Sequence, residues 1–71
     1  MDTIAILEAL IDNECTADEI ATLYDIPTDE ALFIANKIAD ISMIKAYESD
    51  IDTNAIKRLE NQILDTLNDV L

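Results

Sequence analysis

Not one of the 71 residues is glycine, and Pro27 is the single proline. Glycine enters positive φ without steric cost, so tight hairpins and phosphate-cradling loops lose their usual building block here. Helices joined by short loops, capped by Asp and Thr, fit such a chain better. Apolar residues make up 51% of it, with Ile and Leu abundant, whereas disordered acidic segments are poor in both. The expectation is an ordered, all-α chain.

Apolar spacing predicts where the helices lie. From Thr3 to Asn13, Ile4, Leu7, Leu10 and Ile11 recur at helical intervals with Glu8 and Asp12 opposite, and Asp2 or Thr3 is placed to cap. Thr16-Ala17-Asp18-Glu19 is a capping box, in which hydroxyl and carboxylate satisfy orphan amides reciprocally. It opens a short helix with Ile20, Leu23 and Tyr24 inward, broken at Asp25-Ile26-Pro27 because a residue before proline avoids the helical region. Thr28 is read as the cap of a longer helix, with Asp29 and Glu30 favourably placed in its first turn. Its inner stripe is Ala31, Ile34, Ala35, Ile38 and Ile41, and the helix can run on through Met43 and Ile44 toward Tyr47. Glu48 to Asp52 reads as a loop. A last helix from about Thr53 to Val70 carries a seam of Ile56, Leu59, Ile63, Leu67 and Val70, flanked by Leu64 and Leu71. The expected architecture is a compact bundle of about four short helices in a single domain, 1–71.

The stretch 17–38 resembles a helix-turn-helix unit. Ile20-Ala21, the turn at Asp25-Ile26, the Thr28 cap, and Ala31 with Ile34 follow that family's hydrophobic register. With the first helix in front, the resemblance implies the tri-helical arrangement of many transcription factors. Two departures matter. Asp25 stands where glycine is usual, so the chain must bend differently there or hold an aspartate in the left-handed region. The start of the third helix offers Thr28, Asp29, Glu30 and Phe33, with Lys37 the lone cation. Readers of DNA bring Arg, Lys, Asn or Gln to base edges and cations to phosphates. The resemblance therefore implies architecture without DNA binding.

Chemistry has little to work with. The chain has one cysteine, Cys15, and no histidine, so an internal disulfide, a Cys/His zinc site and Cys–His or Ser–His catalysis all lack their parts. Cys15 lies between two helices beside acids, and a half-buried small hydrophobe is the expectation. Asp50, Asp52 and Asn54 alternate as at the opening of an EF-hand loop, but the sixth position is Ala55 where glycine is needed, the eighth is Lys57, and the twelfth is Asn61 where a bidentate glutamate belongs. They are better read as a loop and an N-cap. Tyr24, Phe33 and Tyr47 are read as core aromatics, with Phe33 the exception that lies about 100° from Ile34 around the helix and suits an exposed anchor. No enzyme activity, cofactor or metal is expected.

Charge carries the functional expectation. The formal net charge is −12, and residues 1–30 hold nine acids without a single Lys or Arg. Phosphate backbones and anionic membrane surfaces repel such a chain. The start, Met-Asp-Thr, lacks the basic and apolar regions of a signal peptide, no stretch reaches the roughly 20 apolar residues of a membrane span, and a cytoplasmic setting is expected. Acidity keeps small proteins soluble, yet this much one-sided charge also costs stability by self-repulsion. The expected function is an acidic interaction module that binds a basic, nucleic-acid-binding protein and inhibits or modulates it. The partner-binding residues would be Asp18, Glu19, Asp25, Asp29, Glu30 and Phe33. Small inhibitors and antirepressors of phages and mobile elements resemble it in size, charge and helicity. The alternatives are a helix-turn-helix DNA-binding regulator and a homo-oligomeric structural adaptor. A homodimer, if formed, is expected to use the C-terminal helix.

Overall fold

A computed structural model of the chain describes residues 2–47 and 52–71. They form four helices: α1 (Thr3–Asn13), α2 (Ala17–Tyr24), α3 (Thr28–Tyr47) and α4 (Thr53–Val70). No strand occurs among the described residues. The Cα radius of gyration, 11.7 Å, is close to the roughly 11 Å of a compact domain of this length.

Three of the four helices begin at a side chain that caps them. Asp2 accepts hydrogen bonds from the backbone N–H of Ile4 and Ala5. At α2 the capping box is complete: the Glu19 N–H donates to Thr16 Oγ1, and the Thr16 N–H donates to Glu19 Oε1. Asp52 Oδ1 accepts from the Ala55 N–H and starts α4. At α3 the first intrahelical bond runs from the Ala31 N–H to the Pro27 carbonyl. Thr28 is thus the first helical residue, and the capping position falls one residue earlier than the sequence suggests.

The exits of α1 and α2 solve the missing-glycine problem in the same way. Glu14 and Asp25 both adopt left-handed backbone, with φ of 49° and 53°. At Asp25 the N–H bonds the Ala21 carbonyl, and the following Ile26 N–H reaches the same carbonyl at 3.2 Å. That six-to-one bond marks a Schellman-type end, in which the next residue tucks inward. Ile26 is buried accordingly.

Helix α3 is central, packing on α1, α2 and α4, while α1 also packs on α4. The N-terminal sub-unit α1–α3 has a coarse helix-turn-helix-like arrangement. The core joins Ile6, Leu7 and Leu10 of α1 and Ile20 of α2 to Ala31, Ile34, Ile38 and Ile41 of α3 and Ile63 and Leu67 of α4. Cys15, Tyr24, Ala35, Ile56, Leu59, Leu64 and Val70 are partly buried against it. Among the described residues no polar or charged side chain is buried.

Four inward assignments need correction. Ile4 is exposed and Ile6 is buried in its place, because the inner stripe of α1 centres on Ile6, Leu7 and Leu10, three and four residues apart. Leu23 is 66% exposed; α2 is a short helix whose inward direction falls between Ile20 and Tyr24, and Leu23 lies about 80° from that direction. Tyr47 is 83% exposed, since the stripe through Ile34, Ile38 and Ile41 extends toward position 45, not 47. Leu71, the C-cap of α4, is also exposed.

Candidate interaction surface

The six residues expected to meet a partner fall into two groups. Asp18 and Glu19 occupy the first turn of α2, while Asp25 sits in the turn before α3 and Asp29, Glu30 and Phe33 follow in its first turns. The eight residues of α2 separate its first turn from that turn by about 12 Å of helix. Asp18, Glu19, Asp25 and Asp29 are exposed and Glu30 is half-buried. Glu19 already has a structural task, since its Oε1 accepts from both the N–H and the hydroxyl of Thr16. Asp25 combines an exposed carboxylate with the left-handed backbone that turns the chain into α3.

Phe33 is 39% exposed. The Lys37 Nζ lies over its ring, 5.1 Å from the centroid, within the range of a cation–π contact. Lys37 also helps line a shallow groove of about 300 Å³ between α3 and α4, with Arg58 and Gln62. The cation nearest the start of α3 is therefore engaged beside an aromatic face and half-buried.

Cys15 is half-buried, as expected. It lines a depression of about 250 Å³ with Glu14, Ala35, Ile38, Ala39 and Ser42, and the Ser42 hydroxyl donates to Glu14 Oε1 across 3.3 Å. This bond ties the corner after α1 to the middle of α3. Of the EF-hand-like alternation, Asp52 is the α4 cap and Asp50 lies outside the described residues. No cluster of three or more potential metal ligands occurs among the described residues, and no described helix is long and apolar enough to cross a membrane.

Sequence reasoning missed the apolar surface. Leu32 and Met43 are 52% and 58% exposed on α3, and Leu23 joins Asp18, Glu19 and Thr22 in lining a shallow surface hollow. Residues left over once the α3 inner stripe is assigned would have revealed the first two. No family model, curated protein or solved structure matches the chain.

Proposed function

We propose that this chain is an acidic interaction module that docks on a basic, nucleic-acid-binding protein and blocks or modulates it, performing no chemistry itself. One observation carries the reading: among the described residues no charged side chain is buried. The carboxylates of residues 2–30 thus all reach solvent, and none is consumed in holding the core. A surface of one sign accelerates encounter with a surface of the other. Phe33 and Leu23 supply exposed apolar area beside the acids, as contacts that slow dissociation once encounter has occurred. Asp29 and Glu30 at the head of α3 oppose the alternative, in which that helix enters a DNA groove, because they would face phosphates. The reading sets the protein in the cytoplasm and requires no cofactor.

The test is affinity capture from a host lysate at low and at raised salt, alongside a variant carrying Asp18→Asn, Asp25→Asn and Asp29→Asn. Asparagine tolerates the left-handed backbone at position 25, so the fold is retained. The wild type should recover a basic protein at low salt, and the variant should bind it roughly tenfold more weakly, the difference shrinking as salt screens the charges. Recovery of no basic partner, or equal binding by the variant, would refute the reading. A mobility shift of some duplex near 100 mM salt, roughly where phosphate contacts still act, would favour the DNA-binding alternative.

A further inference from the structure

Helix α3 is apolar on two sides. Its inner stripe of Ala31, Ile34, Ile38 and Ile41 fills the core. On the opposite side Leu32, Asn36, Ala39 and Met43 are all exposed and fall within about 60° of one another around the helix, with Asn36 the polar member. A line of carboxylates runs beside this stripe, about 60° round from it. Asp29 precedes Leu32 by three residues, Asp40 precedes Met43 by three, and both acids are exposed. The pairing of an acid with a large apolar side chain thus occurs twice, eleven residues apart, which is three helical turns or about 16 Å. Eleven residues leave a remainder of only about 20°, so the two tracks stay side by side along the helix. Neither cation of this helix shares the face: Lys37 and Lys45 lie more than about 120° round from its centre.

We propose that this face of α3 seats an amphipathic basic helix of the partner, its apolar seam on Leu32, Ala39 and Met43 and two of its cations, about three turns apart, on Asp29 and Asp40. The inference rests on the reading that the partner is basic, and adds where that partner sits and in what form. Charge decides among the occupants. A second copy would bring its own Asp29 and Asp40 to the face, and a net charge of −12 with them. DNA or an anionic lipid surface would set phosphates against both carboxylates. A segment that is cationic alone would leave Leu32 and Met43, 52% and 58% exposed, in water. A helix meets both needs, because its own spacings reproduce the two tracks of α3, and the small side chain of Ala39 lets two helices approach closely midway.

Size sets the strength of the contact. From Leu32 to Met43 the stripe is about 16 Å long and one helix wide, and it covers less than the roughly 800 Å² per partner of a standard interface. The contact is therefore transient. Opposite charges steer the encounter and make it fast, and the small apolar area lets the complex separate again. Added salt should slow its formation.

Titration of the full chain with labelled synthetic peptides of about five helical turns, followed by anisotropy and through the Met43 methyl resonance, tests the inference. A peptide with leucines at the spacing of Leu32, Ala39 and Met43, and lysines at that of Asp29 and Asp40, should bind and move that resonance. Serine in place of its leucines, or glutamate in place of its lysines, should weaken binding at least roughly tenfold. Leu32→Gln and Met43→Gln, both at exposed positions, should leave the circular dichroism unchanged and each weaken binding about tenfold by anisotropy. Ile4→Gln removes an equally exposed side chain from α1 and should leave binding as it is. Equal affinity for the leucine-free peptide, indifference to Leu32→Gln and Met43→Gln, or a loss with Ile4→Gln would each overturn the inference. So would a two-chain mass of the protein alone that Met43→Gln abolishes, which would give the face to a second copy. A basic protein captured from lysate equally by wild type and both glutamine variants would sink this inference and leave the interaction module standing. Capture of no basic protein would sink the module, whatever the peptides do.

Discussion

Asp25 holds a backbone conformation that most side chains avoid. For an ordinary L-residue, left-handed backbone costs about 1–2 kcal/mol because Cβ crowds the following carbonyl, and aspartate is among the few that enter it readily. At φ 53° it closes α2 and lets Ile26 turn into the core. Asp25→Val should therefore destabilise the protein by about 1–2 kcal/mol, whereas Asp25→Gly should be nearly neutral. In a domain of this size the first change lowers Tm by roughly 4–8 °C per kcal/mol, readable by thermal denaturation. Equal effects of Val and Gly would show that the carboxylate, and not the backbone, matters there. Glu14 solves the same problem at φ 49°, and nothing in its sequence context announces this, because glutamate has no special liking for that region. The Asp25 turn was legible because the helix-turn-helix register marks its position; the Glu14 turn was not.

Among the elements, α2 depends most on its ends. Eight residues are well short of the roughly 12–15 that an isolated helix needs to persist in water. Thr16→Ala removes the hydroxyl that accepts from the Glu19 N–H and should cost about 1 kcal/mol. Amide exchange should quicken in α2 more than in α4, a difference that nuclear magnetic resonance would resolve; uniform acceleration would mean that α2 opens only with the whole fold. Element boundaries were readable because capping chemistry is local: Asp2, Thr16 and Asp52 each stand at the start of a helix. Side-chain directions were less readable where a helix is short or ends beyond the core. Leu23 and Tyr47 were read inward on apolar character alone, and the deciding fact is which neighbours pack there. The same gap hid the outer stripe of α3, since Leu32 and Met43 announce an unpaired face only once the inner stripe is known to be complete.

At the scale of the molecule, charge and size set the physics. The chain measures 36 × 19 × 18 Å along its principal axes. At about 0.01 M salt the Debye length is about 30 Å, so every carboxylate feels almost every other; at about 0.1 M it falls to about 10 Å. Raising salt across that range should raise Tm, because screening relieves repulsion among surface acids. A fall would mean that attractive pairs dominate the surface. The acids of the candidate interface could be named from sequence, since their number and the absence of counter-charge through residue 30 are counted directly. Their division into two groups, at the two ends of α2, follows from the eight-residue length of that helix. The innermost side chains are aliphatic throughout the described residues, and the chain has no tryptophan. Tyr24, half-buried at the edge on α2, is the aromatic ring best placed to sense unfolding by light. Tyrosine emission will consequently watch α2 detach, while the centre stays optically dark and is followed through its methyl resonances. Agreement between those two signals is the measure of whether so small a molecule melts as one piece.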